Sequence, residues 1–101
     1  MTQAPQSGNK PLSGMRVVDF SRFFAGPYCA QLLGDLGAEV VKVELPGNGD
    51  PLRIQGPPFL HGNGITFLAT NRIKRSLTLD MQTDDGRKLA RKLCLKADVV
   101  L

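Results

Sequence analysis

Few residues of this sequence are of the types, and at the spacings, that chemistry requires. The one histidine, His61, lies in a Gly-rich stretch with no Ser, Cys or Asp spaced to complete a triad, so it reads as a solvent-exposed loop residue. Cys29 and Cys94 are isolated, lack the C-x-x-C spacing of metal or redox sites, and read as buried free thiols. What remains is anion recognition. Asn71-Arg72-Ile73-Lys74-Arg75 is the densest positive cluster. Its arginines either meet the phosphates of a ligand or brace the preceding loop through acids such as Asp50. Glu44 stands near the right distance from the turn at Gly26 to hold a ribose hydroxyl in a dinucleotide site. That site needs G-x-G-x-x-G, and here Gly26 stands alone, followed by Pro27. The competing reading of Glu44 is a strand-end carboxylate in water.

These residues need a frame. Residues 16–20 (RVVDF) form a short β-branched run, and from 27 to 36 the pattern becomes helical, so a strand precedes a helix. Pro27 suits the first helical position, where its missing N–H is no loss. Tyr28, Cys29, Leu32, Leu33 and Leu36 share the face expected to lie on a sheet, and Gly37 offers a left-handed stop. A second strand spans 38–44, with Val41 and Val43 on one face and Val40 and Lys42 on the other. Strand, helix and strand make a βαβ unit, whose strands run parallel. Pro and Gly crowd residues 46–51 and 56–58, predicting an irregular excursion above the sheet, with a short helix over 65–70.

A third strand covers 76–79, and Thr83 caps the helix after it, with Asp84 and Asp85 in its first turn and Arg91, Lys92 and Lys96 near its end. Leu89, Ala90, Leu93, Cys94 and Ala97 form the expected buried stripe. A fourth strand begins at Asp98. The expected fold class is α/β: a Rossmann-like parallel sheet, the first half of a doubly wound domain. Ligands of such sheets bind outside the carboxyl ends of the strands, which places the candidate site at residues 21–26, at Glu44 and Leu45, and at Asp80, Met81 and Gln82.

The bulk numbers set the limits. A chain of 101 residues, 42% apolar and 22% charged, supports one structural unit. Residues 1–10 are polar and read as a disordered tail of a cytoplasmic protein, leaving 11–101 as the folded part, and no apolar run approaches the roughly 18 residues of a membrane span. The net charge of +4 is weak evidence for a polyanionic partner. The basic face of the last helix has no interleaved aromatics, so a solvated surface is expected and not a nucleic-acid patch. An apolar fourth strand with nothing after it to cover it leads to the expectation of an incomplete domain that needs further chain or a partner.

From Pro11 to Leu101 the sequence resembles the N-terminus of family III CoA-transferases. PLSGMRVVDFSR, AGPYCAQLLGDLGAEVVKVE, PGNGDPLR with GPPF, NRIKRSLTLDMQTDDGR and KADVVL carry the resemblance, in that order. It implies a soluble enzyme, longer than this chain, that moves CoA from an acyl-CoA to a carboxylic acid through an aspartyl-CoA thioester, without a metal, in an interlinked homodimer. The family's nucleophilic aspartate falls downstream of Leu101, so the resemblance assigns no catalytic residue here. Its CoA contacts fall on Phe24 and Ala25, on Leu45, and on Leu79, Asp80, Met81 and Gln82. Two departures stand out: many relatives carry arginine where this chain has Leu45 and lysine where it has Gln82. With those cations absent from a site for a diphosphate and a 3′-phosphate, Arg53, Arg72 or Arg75 is expected to substitute, with Arg75 included among the CoA-binding candidates. The related α-methylacyl-CoA racemases are shorter between the second strand and the KRS segment. Here GPPF and the helix at Ile65 give that stretch a transferase-like length. A further alternative is a non-catalytic fragment that only binds CoA or a partner chain.

Overall fold

The computed structural model describes residues 10–101. Its main sheet begins with β1 (Arg16–Asp19), whose Val17 and Val18 point to opposite faces and are both buried. Helix α1 (Ala25–Asp35) crosses to β2 (Glu39–Glu44), which pairs parallel with β1, Val17 beside Val40 and Val18 beside Val41. The excursion that follows holds a 3₁₀ turn (Pro51–Ile54), the two-residue strands β3 (Phe59–Leu60) and β4 (Asn63–Gly64), and helix α2 (Ile65–Thr70). The chain then returns as β5 (Arg75–Thr78), runs through α3 (Asp84–Leu95) and ends in β6 (Val99–Val100). Sheet order is β5-β2-β1-β6, all pairs parallel. This is the α/β parallel sheet that the strand–helix alternation predicts.

The core has two layers, one on each face of the sheet. Val17, Ala30, Ala38 and Val40 pack under α1, joined by partly buried Leu33, while Val18, Val43, Leu79 and Ala90 pack under α3, joined by Leu93 and Ala97. Parallel strands covered on both sides read as near-continuous apolar runs, as β1 and β2 do.

Several expectations need correction. Helix α1 starts at Ala25, not Pro27, so Pro27 is its third residue. The first-turn N–H groups lack helical partners in any case, and proline is tolerated there. Its buried face is Pro27, Ala30, Gln31 and Gly34, whereas Tyr28, Leu32 and Leu36 are 47%, 46% and 48% exposed. The small residues let the helix approach the sheet closely, and the bulky residues turn outward, forming with Phe24 an exposed stripe at four-residue spacing. Cys29 is exposed and Cys94 half-buried, so neither is the buried thiol expected. Of the stripe predicted for α3, Ala90 is buried and Leu89 is half exposed. The excursion is not wholly irregular: the 3₁₀ turn starts at an Asp50 cap, and β3 and β4 form a hairpin turned at His61 and Gly62, both with positive φ. Elements this short leave no periodicity to read. The expected tail lies outside the described residues, except Lys10, whose carbonyl accepts the Ser13 N–H at 3.1 Å. Among the described residues no helix is long and apolar enough to cross a membrane.

Candidate functional site

A cleft of about 190 Å³ opens at the carboxyl ends of the central strands, between Phe20, Ser21 and Arg22 after β1, Lys42 to Glu44 of β2 with Leu45 after it, Gly49 and Asp50 of the excursion, and Met81 after β5. The turn after β1 folds tightly here. A side chain at Gly26 would put its Cβ 2.2 Å from the Ser21 Cβ, so only glycine permits this closure. Phe24 caps α1 and stacks on Tyr28 with ring centroids 5.6 Å apart and 11° between planes.

The structure brings some of the expected residues together and leaves others apart. Leu45 and Met81 line the cleft. Phe24 and Ala25 stand at the start of α1, after the turn that forms one wall. Leu79 belongs to the core beneath α3. The Asp80 carbonyl accepts both the N–H (3.2 Å) and the hydroxyl (2.8 Å) of Thr83, and its carboxylate accepts the Gln82 N–H at 3.0 Å, which fixes the turn that presents Met81 and Gln82. Arg75 is not brought to this group. It opens β5 at the amino end of the sheet, with its guanidinium 3.6 Å from the Glu39 carboxylate. Arg72 faces Asp35 of α1 at 3.1 Å. Neither arginine braces Asp50, which is paired with Lys42 at 2.9 Å.

Glu44 is neither exposed to water nor open to a ribose. It is 5% exposed and takes Arg53 through both carboxylate oxygens at 2.7 Å, the Ser76 hydroxyl, and the Asp50 N–H at 2.9 Å. Burial pushes its pKa up, but the hydrogen bonds from Arg53, Ser76 and Asp50 outweigh that and hold it at about 2. Arg53 also lies 4.1 Å over the Phe67 ring and donates to Asn63, so its charge is committed to fastening the excursion to β2.

Beneath the β1–α1 turn is a set of charges that the sequence reading overlooked. Asp19 accepts the N–H of Ser21 at 2.8 Å, the Ser21 hydroxyl, and the Lys74 ammonium at 2.9 Å. Lys74 donates as well to the Pro27 carbonyl at 2.9 Å and to Asn71 Oδ1 at 2.7 Å. Its pKa is lowered, because burial outweighs the support of Asp19. Lys42 donates to the Ser21 carbonyl at 2.9 Å and meets Asp50 Oδ2 at the same distance, but off the hydrogen-bonding direction. One signal was available: a charge inside an apolar parallel strand, as in RVVDF and VVKVE, must find a buried partner.

The arrangement is one of backbone turns and apolar side chains at the sheet's edge, above ions already paired with one another. Comparison with known proteins gives the family. Residues 12–101 match CoA-transferase family III. The chain is 45% identical over 107 residues to a succinate–glutarate CoA-transferase of Agrobacterium fabrum, covering 100% of this chain and 26% of that protein. It is 44% identical to the succinyl-CoA:glutarate CoA-transferase of Mus musculus, covering 97% of this chain and 23% of that one. The crystal structure of a CAIB/BAIF family protein from Brucella suis superimposes with a TM-score of 0.86 at 50% identity, over 91% of this chain and 25% of that one. The chain thus spans about a quarter of the length of the curated relatives it matches. With the family matched over nearly all of the described residues, the chain belongs to CoA-transferase family III.

Proposed function

We propose that the chain supplies part of the CoA-binding surface of an enzyme that moves CoA between carboxylic acids, with a succinyl-type thioester as donor and a short dicarboxylic acid such as glutarate as acceptor. The observation that carries this reading is the cleft at the strand carboxyl ends, lined by Leu45 and Met81 and flanked by the turn leading to Phe24 and Ala25. The names of the relatives supply the acids. In this reading Phe24, Ala25, Leu45, Leu79, Asp80, Met81 and Gln82 contact the cofactor, largely through backbone and apolar groups. Transfer proceeds by attack of an aspartate carboxylate on the thioester carbonyl, so that the enzyme-bound thioester conserves the bond's energy until the acceptor acid arrives. No residue of this chain is assigned that nucleophile. The remaining features of the reading are an interlinked homodimer of the longer polypeptide, a cytoplasmic setting and no metal.

A second reading, in which this chain alone binds CoA or a partner chain without turnover, is favoured by the exposed apolar stripe of α1. Two measurements separate them: the CoA-dependent melting shift of the purified chain, and exchange by the longer polypeptide that contains it. A CoA-dependent rise in melting temperature together with succinyl-CoA:glutarate exchange by the longer polypeptide supports the transferase. A thermal shift with no exchange by the longer polypeptide supports the binding reading, and neither signal removes both.

A further inference from the structure

The buried charges under the β1–α1 turn do more than the fold requires. Lys42 and Lys74 have side chains 2% exposed, and those of Asp50 and Asp19, each 2.9 Å from its lysine, are 0% exposed. Taking four ions out of water is costly, and well-packed apolar side chains of similar volume stabilise a fold at least as well. What apolar side chains cannot do is hold backbone groups. Between them these four residues grip four groups of one short segment: the Ser21 N–H on Asp19, the Ser21 carbonyl on Lys42, the Phe23 N–H on Asp50 Oδ1 at 3.3 Å, and the Pro27 carbonyl on Lys74.

That segment is strained where it is gripped. Phe23 has φ 68, in the left-handed region that bulky side chains avoid. Such conformations persist only where their surroundings impose them. The grip also sets direction. In a trans peptide the carbonyl and the following N–H point opposite ways, so holding the Ser21 carbonyl on Lys42 aims the Arg22 N–H away from the buried ions. Arg22 is one wall of the cleft.

We infer that Asp19, Lys42, Asp50 and Lys74 are positioning residues that preform the backbone of residues 21–27 as a cradle for the ligand's anionic end. The inference rests on the CoA-binding reading and adds to it: affinity depends on buried charges through the backbone they hold. Preorganisation raises affinity by removing an ordering cost at the moment of binding, so its loss appears in the dissociation constant.

The test removes each ion pair as a unit, in Lys42→Met/Asp50→Asn and separately in Lys74→Met/Asp19→Asn, so that no buried charge is left unpaired. Acetyl-CoA binding is measured by calorimetry, folding by circular dichroism, and the turn by the amide ¹H–¹⁵N resonances of residues 21–26. The expected result is a variant that remains folded, with displaced amide resonances in the turn and roughly tenfold weaker binding, equivalent to about 1.4 kcal/mol. Either pair suffices if the other fails to fold. A folded double variant that binds acetyl-CoA as tightly as the unaltered chain overturns the positioning role and leaves the CoA reading standing. An unaltered chain that does not bind acetyl-CoA overturns both.

Discussion

Glu44 shows how a single side chain at the end of a strand can carry a whole loop. Its carboxyl, ordinarily near 4.5, is held at about 2 in the folded chain. A depressed acid contributes stability above its ordinary pKa and loses that contribution as the pH falls through the folded value. A shift of this size corresponds to about 3 kcal/mol. Glu44→Gln is therefore expected to lower the unfolding free energy at pH 7 by roughly 3 kcal/mol, with the gap to the unaltered chain closing as the pH approaches 2, as urea titrations at several pH values would read. The cleft makes a second prediction at this scale. Arg53 is committed to Glu44, and Arg72 and Arg75 pair with Asp35 and Glu39 away from the cleft. Leu45 lines the cleft and is 39% exposed. Leu45→Arg should tighten CoA binding about tenfold through a charge-assisted phosphate contact, while Arg75→Ala should leave it unchanged, both read by calorimetry. The strand-end positions of the site were legible because a parallel sheet dictates where ligands meet it. The charge pairing was not, since Asp19 and Lys74 lie far apart in sequence and only the folded turn makes them neighbours.

Among the elements, α3 is the one whose start the sequence states most fully. Thr83 accepts the Gly86 N–H at 3.0 Å, with Asp84 and Asp85 in the first turn. Thr83→Ala should cost about 1 kcal/mol by chemical denaturation. Gly86 is constrained more severely, because a Cβ there would fall 1.8 Å from the Asp80 carbonyl oxygen. Gly86→Ala should cost roughly 1–3 kcal/mol and displace the turn carrying Met81, visible in the same denaturation curves and in the amide resonances of residues 80–82. Helix α1 teaches the opposite lesson. Its bulky apolar residues predicted the wrong face, because close helix–sheet packing selected small Ala30 and Gly34 for contact. Leu32→Ser should accordingly change stability by no more than about 0.5 kcal/mol, whereas Ala30→Leu, at a site 0% exposed, should cost roughly 1–3 kcal/mol. Regular runs of several residues were readable from period and caps. The 3₁₀ turn and the β3–β4 hairpin were not, being fixed by Asp50, Arg53 and Asn63 rather than by any pattern.

In the whole molecule the sheet order β5-β2-β1-β6 makes β1 and β2 the central strands and puts β6 beside the strand that comes first in sequence. The Arg16 N–H meets the Asp98 carboxylate across 82 residues of chain, and Val17 lies beside Val99. None of the four main strands is joined to its neighbour by a hairpin. Each pairing therefore closes a long loop before any ladder bond forms, which gives the main sheet a high contact order and no local β nucleus. Refolding should consequently be slow for the chain's length, with the β1–β6 ladder among the last contacts to gain protection from hydrogen exchange. During that interval the edge of β1 that β6 will cover stays open to any other chain in solution, so the yield of refolding should fall as protein concentration rises.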